Sequence, residues 1–379
     1  MIADCLTANH FRNLKDTIFR PGPGVNVLFG DNAQGKTNLI EAIWLFTGAR
    51  SFRGSKDQEL IAFDSDSARL SLSFSAHGLQ NEARLSFSGS KKAELNGVTL
   101  ESATAFSGRF CAVVFSPDHL NLVKDGPQQR RRFLDLAISE ILPRHASALA
   151  EYRELLRQRN ALLKDVTAHS ELFDTLDVWD AQLARAAARI VFTRLRYLAR
   201  LKMRAAEIYS GISSKPGSDA LQEEFSLSYE PAGGLSFSVA LENAHEAVAE
   251  IQRQLSGLLA EQRGGDIDCG YTRGGPHRDD LNISVNGVDA RLYGSQGQQR
   301  SAVLALKLAE AAVLKETIGE PPILLLDDVM SELDRYRQRY ILNSIGGCQV
   351  FITCCDPAGL DGLDGGSVFK IIGGQILPQ

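Results

Sequence analysis

The sequence predicts an α/β fold: a mixed sheet with helices, assembled from both ends of the chain, with a mainly helical lobe inserted between them. Three observations predict it. Near the N-terminus an apolar run leads into Gly30-Asp31-Asn32-Ala33-Gln34-Gly35-Lys36-Thr37 and then into a helix-period pattern, the strand–loop–helix context of a phosphate loop. Far downstream, Ile323-Leu324-Leu325-Leu326-Asp327-Asp328 is a continuous apolar run ending in two carboxylates, as a strand buried on both faces does. Between them, from Gln128 to about Arg263, the chain is rich in Ala, Leu, Arg and Glu at helical spacing. Lys36 and Asp327 lie 327 − 36 = 291 positions apart, so something large interrupts one nucleotide domain.

Residues 2–10, 14–20 and 25–29 read as short strands, the third entered through the Pro21-Gly22-Pro23-Gly24 turn. Residues 37–48 carry helical periodicity through Leu39, Ile40, Ile43 and Trp44, with Gly48 as the stop. Residues 69–74 and 83–87 alternate at period two, and Asn96-Gly97 is a strong hairpin signal, so antiparallel sheet is expected there. Residues 110–115 form an apolar strand. The helical stretch is expected to break at residues 213–217, with strands at 225–229 and 235–239. Strands are expected again at 281–285 and 288–292, joined by Asn286-Gly287, then a helix from about 298 to 318. The strand 323–326, the helix 335–344, the strand 349–353 and a hairpin at 369–376 turning on Gly373-Gly374 complete the pattern. The expected division is a head of residues 1–125 plus 265–379 and a helical lobe of residues 126–264.

The length of 379 residues exceeds what one core usually holds, which also predicts two lobes. With 44% hydrophobic and 23% charged residues the chain has ordinary globular composition, and no apolar run approaches the ~18 residues of a membrane span. No basic region followed by an apolar stretch opens the chain, and the six cysteines form no Cys-x-x-Cys pair. The expectation is a cytoplasmic protein with reduced thiols and no membrane partner. The net charge of −5 means that any nucleic-acid contact must use a local basic face.

The chemistry expected of the two motifs is nucleotide binding. Glycines let backbone N–H groups of residues 30–37 approach phosphates, and the helix N-terminus adds its positive dipole end. Lys36 should reach the β- and γ-phosphates, and the Thr37 hydroxyl should ligate Mg²⁺ together with Asp327. Asp328, one residue on, alternates to the other side of the strand end, placed to polarise the attacking water or to shape the loop. A second anion cradle is expected where Ser295-Gln296-Gly297-Gln298-Gln299 opens the long helix before the Asp327 strand. A simple phosphate-loop enzyme has no need of two.

Followed by Ser331-Glu332-Leu333-Asp334, this order resembles the ATP-binding-cassette ATPases: Walker A, signature, Walker B and D-loop. The resemblance implies that Ser295 and Gly297 meet the γ-phosphate held by another subunit, with Asp334 as the D-loop acid, so ATP joins two heads. Asn9-His10-Phe11-Arg12-Asn13 looks like the Phe-Arg-Asn opening of the cassette ATPases that act on DNA, and implies Arg12 as an ATP-binding residue. Ser51-Phe52-Arg53 looks like their arginine loop. The segments Phe115-Ser116-Pro117-Asp118-His119-Leu120, Lys124-Asp125-Gly126-Pro127, Arg130-Arg131-Arg132-Phe133-Leu134-Asp135 and Gly275-Pro276-His277-Arg278-Asp279-Asp280-Leu281 resemble the bacterial RecF family along the whole chain. That resemblance implies an ABC/SMC-type phosphate-loop ATPase head, cytoplasmic location, binding of single- and double-stranded DNA at gaps and junctions, action with RecO and RecR to load RecA, and a link to the SOS response. Asp328 stands where most cassette ATPases carry glutamate, so slow hydrolysis is expected, below the typical enzyme median of about 10 s⁻¹. The usual switch histidine has no counterpart near Thr353.

For DNA, Arg185, Arg189, Arg196 and Arg200 fall on one stripe of the helix expected over 181–206, and Arg130 and Arg131 open the helical lobe. Phosphate neutralisation is one reading; a solvated face, pairing with neighbouring acids, or an arginine turned to the nucleotide are the others. His277 reads as structural rather than catalytic. A rival function is an ATP-gated regulatory or defence ATPase acting on a protein effector; the nuclease-type acidic cluster that would favour it is missing from the sequence.

Overall fold

The computed structural model describes residues 1–166, 169–214, 223–356 and 366–378. In chain order the elements are β1 (Ile2–Phe11), β2 (Leu14–Phe19), β3 (Val25–Phe29), α1 (Lys36–Trp44), β4 (Ala68–Ala76), β5 (Leu79–Ser88), β6 (Ser90–Leu95), β7 (Val98–Leu100) and β8 (Ala112–Phe115). Then follow α2 (Pro127–Ile141), α3 (Pro143–Asp165), α4 (Thr175–Ser213), β9 (Phe225–Glu230), α5 (Ala244–Cys269), β10 (Asp280–Val285), β11 (Val288–Asp289), α6 (Ala290–Tyr293) and α7 (Gln296–Ile318). The chain ends with β12 (Ile323–Asp327), α8 (Arg335–Ser344), β13 (Val350–Cys354), β14 (Ser367–Ile372) and β15 (Gln375–Pro378).

Two compact units result: Met1–Asn121 with Glu207–Gln222 and Val303–Gln379, and Leu122–Ala206 with Glu223–Ala302. The first unit holds two six-stranded sheets. One is antiparallel, in the order β2-β1-β4-β5-β6-β7; the other is mixed, in the order β15-β14-β3-β13-β12-β8. A single core lies between them and α1. Leu6, Phe19, Phe74 and Leu85 come from the first sheet, Leu39 and Ile43 from α1, and Leu325, Phe351 and Ile371 from the second, all at or below 2% exposure. Five strands of the mixed sheet, from β14 to β8, run parallel, and β12 and β13 are buried along their whole length, as strands covered on both faces are. The hairpins turn where the backbone needs two positive φ angles: Asn96 (51°) with Gly97 (80°), Gly373 (55°) with Gly374 (80°), and also His77 (51°) with Gly78 (73°).

In the second unit the helices pack on a core that includes Leu183, Ala187, Ile190, Val191, Ile251 and Leu255. A small antiparallel sheet, β11-β10-β9, turns on Asn286 (φ 53°) and Gly287 (φ 75°). Two expected strands are corrected here. Leu235, Phe237 and Val239 alternate as expected, but the segment pairs with no strand; its apolar side chains pack on the helical core instead. The strand expected over 288–292 ends at Asp289, whose carboxylate accepts from Arg291 N at 2.6 Å and Leu292 N at 3.3 Å, starting α6. Most of the break expected at 213–217 lies outside the described residues.

Candidate nucleotide-binding site

The register of the mixed sheet builds the site. Asp327 sits beside Thr353, Thr353 beside Leu28, and Cys354 beside Phe29, so β3, β13 and β12 end together. The loop leaving β3 and the carboxylates leaving β12 therefore converge at the carboxyl ends of parallel strands, where open α/β sheets bind ligands.

Within the loop, Gly30 has φ 151°, and a Cβ there would lie 2.4 Å from Ile371 O, so no other residue fits. Gly35 has φ 109°, and its Cβ would meet the Asn13 side chain at 2.7 Å. Gly35 is also the N-cap residue of α1 and offers no side chain to its first-turn amides. Gln34 is pinned from both sides: its carbonyl accepts from Gly374 N at 2.8 Å and its side-chain oxygen from Gly373 N at 2.7 Å. Asn38 donates to Asn13 Oδ1 at 2.8 Å, which ties the helix to the residue after Arg12.

Lys36 is buried, and its ammonium donates to Gly30 O at 2.5 Å and Asp31 O at 3.0 Å, with Cys355 Sγ 3.8 Å away. Cys355 Sγ also lies 3.3 Å from Asn32 Oδ1. The Thr37 hydroxyl donates to Asp327 Oδ1 at 2.8 Å, and Thr353 Oγ1 donates to the same oxygen at 2.9 Å. Burial pushes the Asp327 carboxyl above its ordinary value, and these two donors partly offset the rise. Asp328 takes the left-handed φ of 54°, and its N–H donates to Thr353 Oγ1 at 2.8 Å. One threonine thus holds both members of the acidic pair. A backbone angle of this kind at a non-glycine residue marks a position held by its surroundings.

Arg12 and the Ser51–Arg53 segment meet on a residue the sequence reading passed over. Glu41 is fully buried; it accepts from Arg12 Nε at 3.1 Å and from Ser51 Oγ at 2.5 Å, with Arg53 Nη1 at 3.9 Å. Arg53 also donates to Asn38 Oδ1 at 3.0 Å. The signal was present, since a glutamate in the otherwise apolar 39–46 stretch needs a buried cation. Asp334 caps α8, accepting from Arg337 N at 3.0 Å.

The Ser295 segment forms a reciprocal cap. Ser295 Oγ accepts from Gln298 N at 3.2 Å, and Ser295 N donates to Gln298 Oε1 at 2.8 Å. Ser295 and Gln296 are exposed, and Gly297 is half-buried.

Of the expected DNA contacts, Arg130 has a different occupation. It is 3% exposed, forks onto Asp280 at 2.7 and 2.8 Å, and donates to three backbone carbonyls, the bonding of a buried structural cation. Arg131 is half-buried and donates to Asp279 O at 2.6 Å. On α4, Arg185, Arg189 and Arg196 are exposed and Arg200 is half-buried; Arg189 pairs with Glu151 at 3.3 Å. Between them Arg194 is buried, forked onto Asp135 at 2.9 Å and donating to Pro276 O at 2.7 Å. His277 is hydrogen-bonded to the Tyr152 hydroxyl at 2.7 Å and Thr272 O at 3.1 Å, and burial pushes it down to about 4.

A family model described as the RecF/RecN/SMC N terminal domain matches residues 3–364. A DNA replication and repair protein RecF from Ruminiclostridium cellulolyticum is 38% identical over 99% of both chains, and one from Clostridium perfringens is 39% identical over 97% of both. A solved structure of the recombination mediator protein RecF-ATPrS in the RecFOR pathway is 37% identical, with TM-score 0.89 over 100% of this chain and 98% of that one. The Smc head domain of Pyrococcus furiosus, 15% identical with TM-score 0.54 over 100% of this chain and 96% of its own, shares the fold. With its phosphate loop, acidic strand end and ABC/SMC-type head, the chain belongs to the RecF/RecN/SMC N-terminal domain family, and within it to the RecF proteins.

Proposed function

We propose that this chain is an ATP-gated DNA clamp of recombinational repair and replication. The observation that carries the reading is the convergence of Lys36, Thr37, Asp327 and Asp328 at one end of the parallel strands. The relatives' names, which speak of DNA replication and repair and of the RecFOR pathway, supply the biological context.

In this reading Gly30–Thr37 cradle the triphosphate. Lys36, now satisfied by two loop carbonyls, turns to the β- and γ-phosphates. The first-turn amides of α1 suit an anion, and the Thr37 and Asp327 oxygens, already sharing one point, suit a hard cation. Mg²⁺ there would neutralise phosphate charge as it transfers. Asp328 orients water as the general base, and a carboxylate one methylene shorter than glutamate makes hydrolysis slow, as in a weak DNA-dependent ATPase. Arg12 acts through Glu41 to set the α1 helix.

Ser295, Gln296 and Gly297 of a second copy meet the γ-phosphate, with Asp334 at the same seam. ATP binds the closed dimer better than the open chain and so shifts that equilibrium. The exposed arginines Arg185, Arg189 and Arg196 face DNA phosphates, single- or double-stranded. Partners are RecR with RecO, the outcome is RecA loading and the SOS response, and the location is the cytoplasm; among the described residues no helix is long and apolar enough to cross a membrane.

The test is fluorescence anisotropy on gapped duplex DNA with and without ATP and Mg²⁺. Affinity at least tenfold tighter with ATP supports the clamp. Affinity indifferent to ATP removes it and favours a regulatory ATPase that acts on a protein.

A further inference from the structure

The turn that leads into the Ser295 cap is built as a rigid ledge. Ala290 is fully buried and anchors α6. The Asp289 carboxylate caps its start, accepting from Arg291 N and Leu292 N. Gln299, itself 5% exposed, reaches back from α7 and donates to Ala290 O at 2.9 Å and Arg291 O at 3.4 Å. Gly294 N donates to Ala290 O at 3.1 Å, and a Cβ on Gly294 would lie 2.4 Å from that same oxygen. The chain can therefore pass from α6 to Ser295 in this way only through glycine.

This ledge holds two large apolar side chains in water: Leu292 is 68% exposed and Tyr293 is 73% exposed. Val288, four residues before Leu292, is 48% exposed. A protein gains nothing for its own fold from leaving such groups in water outside its core, and neighbouring large apolar groups on a surface are where partners dock. Tyrosine is among the residues that carry most energy at interfaces.

We propose that Leu292 and Tyr293 form an apolar clasp that closes against the phosphate-loop face of a second copy of this chain when ATP is bound. Two features select that occupant. The clasp is continuous with Ser295, two residues on, which the ATP-dimer reading already brings to the partner's nucleotide; the proposal rests on that reading. The charges also match. Arg291, between the anchor and the clasp, is exposed, while the phosphate-loop side presents the exposed acids Asp31 and Glu332. In the closed pair the clasp excludes water beside the γ-phosphate, which strengthens the polar contacts made there.

The experiment is sedimentation velocity of the full chain across a concentration series with ATP and Mg²⁺, for the parent, Leu292→Ser, Tyr293→Ala and Tyr293→Phe. Fluorescent-ATP binding is measured in parallel at concentrations where every protein is monomeric. Both side chains lie outside the core, and circular dichroism confirms that each variant folds. The expected result is that Leu292→Ser and Tyr293→Ala bind nucleotide as the parent does but raise the dimer dissociation constant at least tenfold, while Tyr293→Phe stays near the parent. Parental dimerisation by Tyr293→Ala overturns the clasp and leaves the ATP-dimer reading intact. Parental dimerisation with a selective loss of DNA affinity also overturns it, assigning the ledge to nucleic acid. A parent that stays monomeric with ATP overturns both.

Discussion

The Thr37 hydroxyl donates to Asp327 Oδ1 at 2.8 Å across a sequence separation of 290 residues. That bond joins the phosphate loop to the acidic end of β12, where the proposed Mg²⁺ would take both oxygens. Thr37→Ala removes one oxygen and leaves a buried carboxylate short of a donor. A lost partner of this kind costs about 1–3 kcal/mol. The expected outcome is a protein that still folds but loses most of the Mg²⁺-dependent gain in ATP affinity. Fluorescent-ATP titration with and without Mg²⁺ checks it; an undiminished gain contradicts the assignment.

Thr353 holds both acids, donating to Asp327 Oδ1 and accepting from Asp328 N. Thr353→Val keeps the shape and deletes both bonds. Losing about 1.4–2.7 kcal/mol of positioning corresponds to roughly ten- to a hundredfold in turnover. Phosphate release should fall by that factor with little change in KM. A matched fall in nucleotide affinity alone would mean that Thr353 serves binding and not the alignment of Asp328.

His277 is half-buried, and the desolvation of its ring lowers its pKa from 6.5 to about 4. A depressed folded pKa contributes stability above pH 6.5 that is lost as pH falls through 4, on the order of 3 kcal/mol at most. Asp135, held down to about 2 by Arg194 and His145 against the effect of burial, loses its contribution only below the ordinary carboxylate range. Urea unfolding at pH 7, 5.5 and 4 should therefore show a decline that His277→Gln flattens. A decline equally steep in the variant would assign it to other groups.

The basic residues divide into two classes. Arg130→Ala leaves the half-buried Asp280 and three backbone carbonyls without their buried partner and should cost about 3 kcal/mol in urea unfolding. Arg189→Glu with Arg196→Glu should leave stability within about 0.5 kcal/mol, since both are exposed, yet lower the slope of log K against log salt for DNA by about two or more. An unchanged slope would take the α4 stripe out of the DNA face.

The phosphate loop, the Asp327 strand, α8 and the Asn-Gly and Gly-Gly hairpins were legible because each depends on a few neighbouring residues and on a period. What the sequence hid was partnership. The alternation of Leu235, Phe237 and Val239 reports a half-buried extended chain, and helices cover that face as well as a strand would. Val288 to Leu292 also alternates, but the Asp289 cap turns the backbone into a helix. His77-Gly78 makes the same turn as Asn96-Gly97 without the usual dipeptide. Arg130 looks like any surface cation until Asp280, 150 residues away, is beside it. The role of Thr353 shows only where the parallel register sets it beside Asp327, and the partners of Glu41 only where Arg12 and Ser51 fold onto α1.

The central claim is that two copies share the nucleotide, and molecular mass by light scattering with and without ATP and Mg²⁺ tests it most directly, with Lys36→Met as control. The account predicts a mass that doubles with ATP in the parent and stays monomeric in the control. A mass indifferent to ATP in both would contradict it, leaving the Ser295 cap as an ordinary helix start.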